Sequence, residues 1–264
     1  MTKVTLKSYT KWCDEKIRNS EEGIAYEARA SNPKGQEEQT PQTVENLIRY
    51  CIRQSHWSVL QMAGMTLEIE TTRDISAQLI RHFSFRFQEF SQRYADPNLI
   101  SVDLAKDIIE SFEPRLQDRK NRQSSLPVEN KFKKRLLEAI ASVPIKVSVS
   151  TYSLLLKMGV AKEVARRILP MSTPTRLYCR GDVRSWFFYL LVRNSPETQK
   201  EHREIAEQAE EIFKEQFPAI HECLQEKRLV LKGEKKMWKM IEKARKAGMN
   251  IEDWDIKPVV KDPF

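Results

Sequence analysis

The chain has 264 residues, 40% of them hydrophobic and 31% charged, which excludes a disordered polar chain and leaves enough apolar content for a sizeable core. Its net charge of +8, from 45 basic and 37 acidic side chains, suits polyanionic ligands, but much of the excess lies in residues 131–135 and 227–246. Lysines there punctuate helical patterns as solvated faces do, so a small nucleotide is expected and nucleic acid is not. The longest apolar run, 186–192, is too short to cross a bilayer, and the N-terminal residues lack an apolar h-region, so a cytoplasmic protein is expected.

Hydrophobic spacing predicts helices at 6–19, 42–54, 74–83, 130–142, 147–158, 160–169, 184–193 and 196–215. Val44, Leu47, Ile48 and Cys51 give the second an apolar stripe, and Ser195, Pro196 and Glu197 read as a helix start. Strands are expected at 65–71, where Leu67 and Ile69 alternate with polar residues, and at 99–102 and 176–179. Residues 32–43 and 115–125 read as loops. The expected architecture is α+β: one domain with a mixed or antiparallel sheet flanked by helices. A basic C-terminal extension at 233–264 follows it, with Trp238, Ile241 and Ala244 on a short amphipathic helix.

Residues 78–94, QLIRHFSFRFQEFSQRY, carry the chemistry. Ile75, Leu79 and Phe83 recur at four-residue steps after Asp74, which puts Gln78 and Arg81 on one helical face. Phe83, Phe85 and Phe87 then alternate with Ser84, Arg86 and Gln88, a period that suits an extended segment with one buried side. Arg81, Arg86 and Arg93 offer forked donors for phosphate or carboxylate, and backbone amides near Ser91 and Gln92 suit an anion. Glu89 would anchor one of the arginines or a sugar hydroxyl. An amphipathic helix running into an edge strand explains the same pattern on composition alone.

The segment resembles the signature of the flavin-dependent thymidylate synthase family: Arg-His-Arg, seven residues, then Ser, within an Asn/Gln-Glu-x-Ser-x-Arg-Tyr continuation. Arg81, His82, Gln88, Glu89, Ser91, Arg93 and Tyr94 match, whereas Phe83 stands where the family has its second arginine and an arginine appears three residues later at Arg86. Other blocks follow in the family's order: Ala28, Arg29 and Ser31; His56 and Ser58; and 165–206, with Arg166, Asp182 in place of an asparagine, Arg184, Arg193 and Gln199. The likeness covers about residues 24–218, within a catalytic domain at 1–232.

The resemblance implies dUMP methylation to dTMP with FAD, methylenetetrahydrofolate as one-carbon donor and NADPH as reductant, in a homotetramer whose active sites draw on more than one subunit. By the same resemblance the nucleotide would meet Gln78, Arg81, Glu89, Phe90, Ser91, Gln92, Arg93, Arg166 and Arg193, the last being the residue expected to matter most for turnover. Flavin contacts carry over to Ser31, Ser58, Arg81, His82, Phe83, Gln88, Glu89, Asp182, Arg184, Phe188 and Glu197, with Gln61 a further position. On sequence alone Arg193 is equally a salt-bridge partner of Glu197 or Glu201. His56 and His82 invite a proton-transfer reading, although a lone histidine is more often structural. Four separated cysteines show no metal or disulfide spacing, and no metal site is expected. The alternatives are a hydroxymethylating enzyme on the same nucleotide, and a nucleotide- or RNA-binding relative that lost its chemistry with Phe83.

Overall fold

The computed structural model describes residues 2–246. In chain order the elements are β1 (Lys3–Tyr9), α1 (Ser20–Ala28), α2 (Pro33–Glu37), α3 (Pro41–Arg53), β2 (Gly64–Thr72), α4 (Arg73–Leu79), β3 (Arg86–Glu89), α5 (Leu104–Ser111), β4 (Arg115–Gln117), β5 (Ser125–Pro127), α6 (Lys131–Lys157), α7 (Lys162–Ala165), β6 (Pro174–Asp182), α8 (Val183–Arg193), α9 (Lys200–Gln216) and α10 (Pro218–Lys246). The α+β expectation holds, and every strand pairing among the described residues is antiparallel. The described residues cluster into two compact units that interleave in sequence, one holding 64–212 with the first strand, the other holding 11–63 with the described residues from 213 onward.

The first unit is built on a four-stranded sheet in the order β1-β2-β6-β3. In β2 and β6 burial alternates residue by residue, so Met65, Leu67, Ile69, Leu177 and Cys179 point into the core and Thr66, Glu68, Tyr178 and Arg180 line the other face. Helix α8 covers the inner face with Trp186, Phe187 and Leu190, each at most 1% exposed. Gly181 permits this packing at its end of the sheet: a Cβ there would lie 2.4 Å from the Phe85 ring, which sits edge-on to Trp186 at 4.6 Å.

In the second unit, α3 starts in a capping box, with Thr40 accepting from the Thr43 amide, and buries Val44, Ile48, Cys51 and Ile52. Arg49 on its outer side pairs with Glu45, Glu222 and Glu226. Glu21 is buried where it accepts the Ile220 amide at 2.9 Å near the start of α10, and burial pushes its carboxyl up to about 7.

Several expected boundaries fall elsewhere. The chain begins with a strand, because Val4 and Leu6 pair with Ile69 and Leu67 on β2, and the first helix starts only at Ser20 behind an Asn19 cap. Residues 99–102 form no strand: Asp96 caps the Asn98 amide and Pro97 opens a 3-10 turn, so turn chemistry outweighs the apolar residues. The expected loops hold α2 and the β4–β5 hairpin. Ser195 to Thr198 is a turn, with α9 starting at Lys200. The helices expected at 130–142 and 147–158 are one helix of 27 residues that runs through Pro144, long and apolar enough by length and composition to cross a membrane. The expected C-terminal helix is the end of α10, and residues 247–264 of that extension lie outside the described residues.

Candidate active site

The predicted signature folds as a junction: α4 ends at Leu79, residues 80–85 turn, and β3 adds to the edge of the sheet beside β6. Alternation along β3 then sends its polar residues to opposite faces. Gln88 shares the open face with Arg86 and Tyr178, whereas Glu89 points inward. Gln88 and Glu89, both expected at the flavin, are therefore on different sides of one strand.

Glu89 is held on the covered side by three donors to Oε1: Ser76 Oγ at 2.7 Å, Thr175 Oγ1 at 3.0 Å and Arg73 Nη1 at 3.2 Å. Its arginine partner is thus Arg73 and not one of the signature arginines. Those donors escaped the sequence reading because their relation to Glu89 is made by strand pairing with β6; the only local hint is that Arg73 and Ser76 sit one helical turn apart.

The second constellation joins residues over 100 positions apart. Arg193, at the end of α8, donates through Nε to His82 Nε2 at 3.0 Å. His82 must accept at that nitrogen and is neutral; burial, then Arg193 and then Arg81, push its imidazole down to about 4. His202 on α9 is fully buried 6.1 Å from the His82 ring, and its Nδ1 donates to Gln78 Oε1 at 3.2 Å. Burial, then Arg193 and His82, push His202 down to about 3. Gln78 in turn donates to Gln199 Oε1 at 2.7 Å, so both ends of its amide are fixed. Of the expected salt-bridge partners of Arg193, Glu201 is taken by Arg115. His202 was invisible to motif reasoning, its one signal being a position one turn after Gln199.

The remaining predicted residues divide. Arg81 and Ser91 are exposed and Phe83 is 91% exposed, all on the turns flanking β3. Phe90 donates its amide to Arg176 O at 2.8 Å, and Gln92 is buried with Nε2 unpartnered. Arg93, expected to be open to an anion, pairs with Glu163 at 2.9 Å. Arg166 is half-buried after α7. Asp182 caps α8 by accepting the Ser185 amide at 2.7 Å; Arg184 and Phe188 are half-buried on that helix, and Glu197 is exposed in the turn before α9. Ser31, Ser58 and Gln61 are exposed in the second unit, as is His56. Gln199 also lines a cavity of about 830 Å³ formed with the β4–β5 hairpin, α6 and Arg203.

The chain is similar to known proteins over most of its length. A family model described as "Thymidylate synthase complementing protein" matches residues 13–219. A probable flavin-dependent thymidylate synthase from Paramecium bursaria Chlorella virus 1 is 42% identical over 220 residues, covering 82% of this chain and 96% of the relative. A flavin-dependent thymidylate synthase from Synechocystis is 44% identical over 202 residues, covering 76% and 88%. Among solved structures, a UMP/dUMP methylase PolB from Streptomyces cacaoi bound with 5-Br dUMP shares the fold, with a TM-score of 0.69 at 22% identity over 85% of this chain and 95% of that one.

Proposed function

This chain belongs to the flavin-dependent thymidylate synthase family, and from that premise we propose that it methylates dUMP to dTMP with bound FAD, methylenetetrahydrofolate as one-carbon donor and NADPH as reductant. The observation that carries the reading is the Arg193 to His82 hydrogen bond, which brings the two separated sequence blocks to one place. The residues present fit a flavin dinucleotide: Arg81, Phe83 and Arg86 are all exposed within one short segment, a combination of groups suited to phosphate and to a planar ring system.

FAD, when bound, supplies the hydride chemistry. The protein's own task is to bind and polarise the nucleotide. Arg193 places a guanidinium where negative charge would develop on the pyrimidine, and the neutral His82 acceptor fixes the plane of that guanidinium without adding a competing cation. Gln78, locked between His202 and Gln199, offers a preset amide to the base. Glu89 keeps Oε2 for a ligand hydroxyl, because among the described residues all three donors go to Oε1.

The homotetramer belongs to the same proposal. Leu136, Ile140, Val143, Val147 and Leu154 form one stripe along α6, each 49–61% exposed, and an apolar face of that length needs a partner. We assign the stripe to copies of this chain and the protein to the cytoplasm, away from membranes. Wild type should run at tetramer mass in light scattering, and Val143→Glu with Val147→Glu should run smaller; a monomeric wild type rejects the tetramer.

The catalytic reading is tested by recording the flavin spectrum, reducing the protein anaerobically and adding dUMP with methylenetetrahydrofolate. Flavin reoxidation with dTMP is the expected result. A hydroxymethylated product assigns the protein to the hydroxymethylating alternative, and a protein that takes up no added flavin overturns the enzymatic reading.

A further inference from the structure

The open face of the sheet pairs its charges by rows, and one row breaks the rule. Across from Arg176 on β6 lies Glu70, in an ion pair at 3.2 Å. In the next row Glu68 lies opposite Tyr178 and pairs with Lys7 at 3.3 Å. In the third row Arg86 on β3 lies directly opposite Arg180 on β6, whose other neighbour is Thr66. Residues directly opposed across an antiparallel pair share a face at close range, and like charges in that position destabilise the strand pairing.

The two guanidiniums lean apart. Arg180 donates to Thr66 Oγ1 at 3.3 Å, while Arg86 folds back to the carbonyls of Phe83 at 3.2 Å and Phe85 at 3.1 Å. Both side chains are exposed, and neither has an ion pair among the described residues. Arg86 thus brings its charge to the backbone of residue 83, the position where the signature otherwise carries an arginine, and the Phe83 side chain is 91% exposed.

We propose that Arg86 and Arg180 bind the diphosphate of the flavin dinucleotide, with Arg86 standing in for the arginine missing at Phe83. The inference rests on the flavin-dependent reading above and adds Arg180, which no sequence pattern singled out. A doubly charged anion between the two guanidiniums turns the repulsive row into an attractive one, and forked donors match phosphate oxygens. Phe83, freed of charge, offers its face to a ring of the same ligand.

The test is equilibrium binding of FAD, FMN and riboflavin to flavin-stripped protein, followed by flavin fluorescence at low and high salt. Dichroism spectra check that each variant is folded. Arg86→Ala and Arg180→Ala should each weaken FAD by about tenfold or more, the loss of a charge-assisted contact, with riboflavin unchanged. Adding Phe83→Arg to Arg86→Ala should recover most of the FAD affinity. Unchanged FAD affinity in both single variants overturns the inference while leaving the flavin reading intact. Weakened dUMP binding with FAD unaffected also overturns it, assigning the row to the nucleotide phosphate. Failure of wild type to bind any flavin removes the reading on which both rest.

Discussion

The two faces of the β2–β6–β3 sheet carry similar residue types under opposite rules. On the covered face the polar groups of the site hold one another: Glu89 accepts three bonds at one oxygen, Arg193 is aimed by His82, and Gln78 is fixed at both ends. On the open face Arg86 stands against Arg180 with no carboxylate between them. Preorganised groups are complete before a ligand arrives, whereas an uncompensated row is completed by one. The covered face is where turnover and stability should be lost, and the open face where binding alone should change.

Truncating Arg193 should break the contrast most severely. Arg193→Ala is expected to lower kcat by roughly 10² to 10³, equivalent to about 3 to 4 kcal/mol of transition-state stabilisation, while leaving the flavin spectrum in place. Lysine should not restore activity, because a point charge cannot hold the His82 acceptor and present a planar fork together. Steady-state kinetics alongside a flavin titration checks both statements; equal loss of flavin binding and turnover would remove Arg193 from the nucleotide role.

Glu89→Ala comes next. It strands Ser76, Thr175 and the Arg73 guanidinium on a largely covered surface, for an expected loss of about 2 kcal/mol in urea unfolding. Glu89→Gln should recover part of that loss, because an amide oxygen still accepts. Gly181→Ala should cost about 1 to 2 kcal/mol, since the new methyl must displace the Phe85 ring at 2.4 Å. By contrast, removing Lys7 from its exposed pair with Glu68 should shift stability by less than about 1 kcal/mol. Urea midpoints for these variants rank the two faces directly.

How much of this the sequence disclosed depended on the range of the interaction. Periodicity found α3, α8 and the inner strands because their burial is set within a few residues; its reading of 83–88 as one extended run with a buried side holds only from Arg86, since 83–85 turn and Phe83 is exposed. Motif order brought Arg193 and His82 into one list without showing that they touch. The Arg73 partnership of Glu89, the Glu163 partnership of Arg93 and the like-charged Arg86–Arg180 row are made by strand register and chain packing, which no local pattern encodes. The first strand reads as a helix in sequence because the partner that makes it a strand, β2, lies about 60 residues away.

The histidines allow the smallest and most diagnostic test of the covered face. His82 and His202 stay neutral in the folded protein, held down to about 4 and about 3 chiefly by burial, while in the unfolded chain each protonates near 6.5. The unfolded state therefore binds more protons between those values, so the stability they contribute is complete above about 6.5 and is lost as pH falls toward 4. Glu21 opposes this: its carboxyl, pushed up to about 7 against a usual 4.5, contributes stability that is present at acid pH and lost as pH rises through 7. Removing one histidine isolates its share. His202→Asn keeps a side-chain N–H for Gln78 and deletes one titration, so its unfolding free energy should fall less steeply than wild type below pH 6.5, by up to about 1.4 kcal/mol per pH unit. Glu21→Gln should change the slope in the opposite sense over pH 4.5 to 7. If His202→Asn and wild type trace parallel curves from pH 7 to pH 5, His202 is not held neutral in the folded protein.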